Sequence, residues 1–315
     1  MTEFIEDGKI DVGFAQFYQE KISPTAVKIE KMRRKYLTIF IILILISISS
    51  FFAVLVFSGS ARDEFLFNIS GLVFLFSFGL SIVIWRGFRK KIKSGLFADI
   101  FTFFDDFSFR SEGNIKNWQI ERFNILPYFE RLKSEDLISG KYKNVNFEFC
   151  EILAEKTVRE QNDKSHQHCV FKGAAIIFDF HKNFKGCALV KKDLGLVGNF
   201  YQNFHNLKLV ELEDPEFEKM FQVYSSDQIE ARYLLTTSFM ERIKQMTNLL
   251  GGKMVEASFY EGNLLLIFSG SKNLFEEPSL FRKISLIAEC KKIIAQIGLI
   301  FEIVDILKLD ERTGI

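Results

Sequence analysis

Two stretches of the chain run for 21 residues each without a charged side chain. Leu37 to Phe57 is almost wholly Ile, Leu, Phe and Val, and Phe65 to Trp85 repeats the pattern with Asn68 and a few Ser as polar interruptions. At a rise of about 1.5 Å per residue, a helix of this length reaches about 30 Å, the thickness of bilayer hydrocarbon. The sixteen Leu, Ile, Phe and Val residues of the first stretch favour insertion by roughly 5–10 kcal/mol on helix-centre values. Core helices of soluble proteins show an apolar stripe, whereas these stretches are apolar all round. A cleavable signal peptide fits poorly despite the small residues Ser58, Gly59, Ser60 and Ala61, because the run is long, starts late and is followed by a second one.

The flanks set an orientation. Lys28, Lys31, Arg33, Arg34 and Lys35 precede the first stretch, and Arg86, Arg89, Lys90, Lys91 and Lys93 follow the second. The connection from Ser58 to Glu64 sets Arg62 against Asp63 and Glu64. Positive charge stays inside, so both termini are expected in the cytosol, and the short loop makes the spans antiparallel neighbours. Ser47, Ser50, Gly71, Ser77, Gly79 and Ser81 allow close approach between them. Neither span holds an ionisable residue, which fits an anchor better than an ion pathway. The lipid bilayer is therefore the first expected partner.

On either side of the spans the pattern becomes helical and amphipathic. Phe14, Phe17, Tyr18 and Ile22 share a helical face that Ser23-Pro24 interrupts, and a second helix is expected from Thr25 into the first span. Gly95 to Phe107 predicts another helix, with Leu96, Phe97, Ile100, Phe101, Phe103, Phe104 and Phe107 on one side and Ala98, Asp99, Thr102, Asp105 and Asp106 on the other. Membrane-surface helices carry Lys and Arg on the polar face. The acidic face here favours packing against the tail or the globular region.

From about Trp118 the periodicity alternates between strand and helix. Gly140 to Glu155 and Cys169 to Phe180, across a polar loop at 160–167, predict a long antiparallel hairpin. Gly186 to Val190 and Leu207 to Leu212 are shorter strand candidates. Asp214-Pro215 supplies an N-cap and a Pro at the first helical position. Ser225 with Gln228, and Ser238 with Glu241, read as capping boxes, the second helix ending near Leu250 before Gly251-Gly252. Val255 to Tyr260 and Leu264 to Phe268 form a second hairpin through Glu261-Gly262-Asn263. A last helix starts near Pro278 and is weakened or ended at Gly298, with Leu299 to Leu307 left open between helix and strand. Strands, helices, hairpin and helix in this order predict an α+β domain with an antiparallel sheet and packed helices.

The chain thus divides into a cytosolic tail (residues 1–36), a transmembrane hairpin (37–93, spans 37–57 and 65–85), an amphipathic connector (94–117) and a cytosolic α+β domain (118–315). Within 315 residues the net charge is +1, but residues 94–315 hold 28 basic and 32 acidic side chains. That region lacks the basic footprint needed to neutralise phosphates, so no nucleic acid is expected as partner. Cys150, Cys169, Cys187 and Cys290 show no CxxC spacing and read as free buried thiols. His166 and His168, next to Cys169, share a strand face, but no second ligand pair accompanies them and no metal is expected. No nucleophile, P-loop or dinucleotide motif occurs: Gly252-Lys253 is followed by Met254, and Gly195 and Gly198 have the wrong spacing. No cofactor is expected. The densest polar cluster holds Asp214, Glu216, Glu218, Tyr224, Asp227, Glu230, Arg232 and Tyr233. Caps and i,i+4 pairs account for most of it. Tyr224, Asp227, Glu230 and Arg232 are the residues that would form a polar binding site.

Several segments together resemble a known family. They are Gly140-Lys141-Tyr142 with Phe147-Glu148-Phe149, Phe171-Lys172-Gly173, Asn183-Phe184-Lys185-Gly186, and Leu212 to Lys219 (LEDPEFEK) continuing to Val223-Tyr224-Ser225 and Asp227. Glu230 to Thr236 (EARYLLT) and Phe239-Met240-Glu241-Arg242 complete the set. The pattern, over roughly 94–310, resembles the bacterial family known as domain of unknown function 3137. Its members pair two membrane spans with a cytosolic domain. Thr237 stands where that pattern has Pro. The resemblance implies the bacterial inner membrane as location and assigns no activity. The expectation is a membrane-anchored cytosolic binding or scaffold protein, its partner another protein, a small ligand or a second copy of itself. The alternative is an enzyme with a polar site near Tyr224–Tyr233.

Overall fold

The long apolar stretches form helices whose side chains sort in the reverse of the usual sense. In the computed structural model, which describes residues 14–58, 64–104, 106–113, 115–159, 165–180, 182, 184–193, 207–250, 255–270 and 278–310, the chain falls into two units. One is Met1–Phe103 with Glu276–Ile294, the other Phe104–Phe275 with Ala295–Ile315. Expectations placed on residues 1–13, the loop at 59–63, the polar loop at 160–164, Asn183, Gly195, Gly198, Gly251 and Gly252 lie outside the described residues.

In the first unit, α1 (Phe14–Phe17) leads through a π-helical turn, Tyr18–Ile22, into α2 (Ser23–Phe57). The interruption expected at Ser23-Pro24 takes this form because Pro24 has no N–H to give. The Ser23 N–H reaches back five residues to the Tyr18 carbonyl instead. α3 (Glu64–Phe101) corrects the expectation of a separate connector helix, since it runs unbroken from the second span to Phe101. Its last turns keep the expected faces: Leu96, Phe97, Ile100 and Phe101 are buried, Ala98 and Asp99 exposed. Beyond it the chain turns, and Phe103 receives the rings of Phe14 and Phe17 at 4.9 and 5.2 Å.

α2 and α3 lie side by side. The Ser47 and Ser77 hydroxyls meet at 2.7 Å, and the rings of Tyr36 and Phe88, and of Phe51 and Phe74, pair at 5.6 and 5.7 Å. Ser47, Ser70, Ser77 and Ser81 are buried, while Leu45, Phe52, Leu72 and Phe76 face outward. Both helices are long and apolar enough, by length and composition, to cross a membrane.

The second unit is built on a nine-stranded antiparallel sheet in the order β1-β2-β3-β4-β9-β8-β5-β7-β6. The strands are β1 (Ser108–Glu112), β2 (Arg131–Tyr142), β3 (Val145–Arg159), β4 (Ser165–Asp179), β5 (Cys187–Lys192), β6 (Lys208–Val210), β7 (Phe221–Ser225), β8 (Val255–Tyr260) and β9 (Asn263–Ser269). The long hairpin is β3–β4, paired from Arg159↔Ser165 to Phe147↔Phe178 with one register shift between Ala154 and Glu155. Gly140 to Tyr142 are not part of it: they end β2, which turns into β3 through Lys143 and Asn144, both at positive φ. The β8–β9 turn is likewise two residues, Glu261 and Gly262, with Asn263 already in the ladder.

Beyond β6 four helices among the described residues lie wholly or partly in this unit. α5 (Pro215–Met220) starts as expected, Asp214 Oδ1 accepting from the N–H groups of Glu216 and Phe217 at 2.9 and 3.1 Å. The other caps differ from expectation. α6 (Gln228–Leu234) is capped by Asp227 rather than Ser225, because the Ser225 hydroxyl donates to the Cys187 carbonyl while its residue is still in β7. α7 (Thr237–Leu249) is capped by Thr236 rather than Ser238. Of α8 (Leu286–Leu307), Ala295 onward lies in this unit. It passes straight through Gly298, so Leu299 to Leu307, left open between helix and strand, is helix. A mid-helix Gly costs about 1 kcal/mol. The buried stripe of Ile297, Ile300, Ile303, Val304 and Leu307 outweighs that.

Both faces of the sheet are covered. One face carries Ile138, Phe149, Ile176, Leu266 and Phe259. The other holds a core cluster of Cys150, Ile152, Ala154, Ala175, Ile177, Leu189, Leu265 and Ile267. The strap of residues 115–129, which includes the short helix α4 (Asn117–Glu121), closes the second face with Ile115, Ile120, Phe123, Ile125 and Phe129.

Candidate functional site

The strap is held by carbonyls as well as by its apolar side chains. Ser258 Oγ, buried in β8, donates to the Phe123 carbonyl at 2.6 Å. Lys191 Nζ donates to the Ile125 carbonyl at 2.8 Å and to the Glu256 carboxylate beside it. Lys191, 6% exposed, is thereby neutralised below the strap, as a buried cation must be.

Where the strap ends, the same sheet face turns from apolar to polar. Cross-strand register aligns Lys141 with Asn146, Glu148 with Ile177, and Asp179 with Asn263. These side chains floor an open groove of about 780 Å³, overhung by Gln119 and Arg122 of the strap and by Asp106. The Arg122 guanidinium stacks over Phe123 at 5.0 Å and Trp118 at 5.8 Å. Its Nε is buried and finds no acceptor among the described residues. A buried donor without a partner is costly. Among the described residues the groove thus mixes two cations with three carboxylates and three amides. This suits a small molecule that both donates and accepts. Among the described residues no histidine or cysteine lines the groove.

The residues expected to form a polar site lie elsewhere, at the β5–β7 edge. Asp227 Oδ1 accepts from the N–H groups of Ile229 and Glu230 at 2.8 and 3.1 Å. The two oxygens of Glu230 accept from the N–H groups of Lys185 and Gly186 at 3.1 and 2.7 Å. A Cβ on Gly186 would stand 2.6 Å from that carboxylate, which would have to shift to admit it. Arg232 donates to the Gln228 and Glu211 carbonyls at 3.4 and 3.1 Å. Tyr224 packs against the core cluster under the strap, its hydroxyl bonded to Gln222, and burial raises its phenol above the ordinary range. Asp227 and Glu230 are thus neighbours on one helical turn, but their oxygens face backbone N–H groups, and Tyr224 turns toward a different environment.

His166 and His168 stand exposed on β4, as does Cys169. Among the described residues no three His, Cys, Asp or Glu side chains converge as metal ligands would. Cys169 departs from the expectation of buried thiols. Cys150 and Cys290 are buried, and burial pushes Cys187 up to about 11 and Cys290 up to about 12.

The groove was not legible in the sequence. It gathers residues from five separate stretches, and the only local trace is a polar residue at the end of each strand.

Residues 169–309 match the profile of a family described as protein of unknown function (DUF3137). No curated protein matches the chain in sequence. Among solved structures, the mycobacterial trehalose monomycolate transport factor A, TtfA, aligns over 69% of this chain and 95% of its own, with 7% identity and a TM-score of 0.35. That agreement is too loose to define a shared fold.

Proposed function

From the match of residues 169–309 to the DUF3137 profile, we propose that the chain is a membrane-anchored binding module. In this reading α2 and α3 cross a bacterial inner membrane, both termini and the α+β unit face the cytosol, and the groove beside Arg122 takes the ligand or partner group. One observation carries the anchor: α2 and α3 bury serines between them and turn Leu, Ile and Phe outward. In water this arrangement exposes the apolar surface that folding normally hides. In lipid it is the favoured one, since small polar residues hold helices together while hydrocarbon solvates the rest. The basic residues at Lys28–Lys35 and Arg86–Lys93 orient the hairpin.

Cys169 is a built-in probe of that orientation, being the exposed thiol of the four. A membrane-impermeant maleimide should label it in permeabilised cells and spare it in intact ones, with the chain resisting alkaline carbonate extraction. Labelling of Cys169 in intact cells would reverse the topology, and extraction by carbonate would remove the anchor. For binding, a stoichiometric component should copurify in mild detergent and be lost on Arg122→Ala with Lys141→Ala. A chain that purifies alone, indifferent to those changes, would leave the groove without a role. The enzyme alternative near Tyr224–Tyr233 takes second place, because the Asp227 and Glu230 oxygens there accept from backbone N–H groups.

A further inference from the structure

The segment Pro278–Ser285 meets α2, within the same unit, where the charged end of that helix gives way to its apolar stretch. Arg33, 8% exposed, sets Nε and Nη2 on the two oxygens of Glu30, each at 2.8 Å, and Nη1 on the Leu280 carbonyl at 2.9 Å. Arg34 Nε adds a bond to Glu30 at 3.0 Å. The Arg33 hydrogen bond, helped by Arg34, holds the Glu30 carboxyl at about 2. This clamp fixes the segment against the helix. Leu280 is wholly buried by it. The next residue, Phe281, turns outward at 56% exposure with its ring 5.4 Å from Phe40.

Phe40 lies seven residues beyond Arg33, about 10 Å along the helix, and about 4–5 Å past Leu37, where the uncharged stretch begins. The level of that boundary is marked on both helices: Tyr36 meets Phe88 at 5.6 Å, and Arg89 lies over the Trp85 ring at 5.1 Å. A ring held beside Phe40 is therefore at the depth of an interfacial anchor, about 5–10 Å into the headgroup and acyl boundary. Next to it the chain continues with Arg282 and Lys283, both exposed. A cleft of about 480 Å³ opens there, lined by Val27, Glu30, Lys31, Arg34, Lys283 and Ile284. It holds three cations and one carboxylate, and that carboxylate is already matched by Arg33.

We propose that residues 279–284 make a third contact with the bilayer, in which Phe281 enters the acyl boundary beside Phe40 and the cleft of Lys31, Arg34 and Lys283 receives the phosphate of an anionic phospholipid. The contact rests on the membrane anchorage proposed above. Charge complementarity and depth together choose the occupant. A soluble phosphate would satisfy the cations but leave Phe281 in water, whereas a phospholipid supplies an anion and hydrocarbon at the two levels where the chain presents cations and an aromatic ring.

The test uses the whole chain in vesicles of equimolar phosphatidylcholine and phosphatidylglycerol, one or the other lipid brominated. The reporter is Phe281→Trp in a chain that also carries Trp85→Phe and Trp118→Phe. Both brominated lipids should quench the introduced indole, the anionic one more strongly. Lys31→Gln with Arg34→Gln and Lys283→Gln, all exposed positions, should remove the difference, each cation near the surface being worth roughly fivefold at low salt. An indole that no brominated lipid quenches, in a chain that resists carbonate extraction, overturns this contact and leaves the anchor standing. Equal quenching by the two lipids in the parent chain overturns the headgroup site. Loss of the preference on adding inorganic phosphate at constant ionic strength assigns the cleft to the free ion and also overturns it. Release by carbonate removes the anchor and this contact together.

Discussion

Removing the Glu256 carboxylate should loosen the strap of residues 115–129 without unfolding the sheet. The Lys191 side chain is 7% exposed and that of Glu256 is 20% exposed. In Glu256→Ala the ammonium loses that carboxylate and keeps its bond to the Ile125 carbonyl. Breaking a fully buried pair by deleting one partner costs about 3–5 kcal/mol, because a desolvated charge is left behind. Here water already reaches a fifth of the glutamate, and the Ile125 bond persists, so about 2–3 kcal/mol is the expected loss. Lys191 ties the strap to the sheet through the Ile125 carbonyl, and opening of the strap lets water reach the ammonium, so this loss falls on strap opening, which should rise by roughly 30–150-fold. Amide hydrogen exchange of residues 117–129 reads this directly, with the β3–β4 hairpin as internal reference. Lys191→Met combined with Glu256→Met removes both charges and should recover most of the protection, short by about 1 kcal/mol for the donor lost to Ile125. Exchange in the single variant that matches the parent would refute the role of Glu256 in holding Lys191 under the strap. A double variant as open as the single one would show that the carbonyl bond, not the lost carboxylate, governs opening.

Other consequences follow from particular contacts. At Gly173 an added Cβ would stand 2.2 Å from the Phe268 carbonyl oxygen across the β4–β9 ladder. Gly173→Ala should lower stability by about 2–3 kcal/mol in thermal melts. Gly186→Ala should cost less, since it meets only the mobile ends of Glu230 and Ser226. The N–H of Phe217, followed by Lys244, holds the Asp214 carboxyl below the ordinary aspartate range. A depressed folded value stabilises above the ordinary aspartate pKa of about 3.9 and loses that contribution as pH falls through the lower value. Melting temperature followed down through that window should drop less steeply in Asp214→Asn. In the folded chain at neutral pH, maleimide should modify Cys169 and spare Cys150, Cys187 and Cys290, whose thiols burial holds in the protonated state; mass spectrometry before and after denaturation checks the count. Ser47→Ala should weaken the α2–α3 pairing by about 0.6 kcal/mol, measured by denaturant titration in detergent.

What the sequence determined by itself was everything governed by neighbours along the chain. A stretch from Leu37 to Phe57 with no charge is a helix apolar on every side whatever surrounds it. Asp214-Pro215 starts a helix because the side chain reaches the N–H groups two and three residues on. Glu261-Gly262 reverses a strand because both residues take positive φ. Family resemblance was carried by such local runs too. What only the tertiary structure decided was the outcome of competition between local signals and distant contacts. Ser225 could have capped a helix, but its hydroxyl serves the Cys187 carbonyl, 38 residues away, and Asp227 takes the cap. Gly298 could have ended a helix, but a continuous buried face of Ile and Val carries α8 through it. β1 and β2, with mixed polarity and a bulge at Asp136, read as strands only once β3 is beside them. The groove at Arg122 and the clamp of Arg33 on Leu280 join residues up to 247 positions apart in sequence. Periodicity reports which face of an element is apolar. It does not report which element that face will meet, because that is fixed by register and packing across the fold.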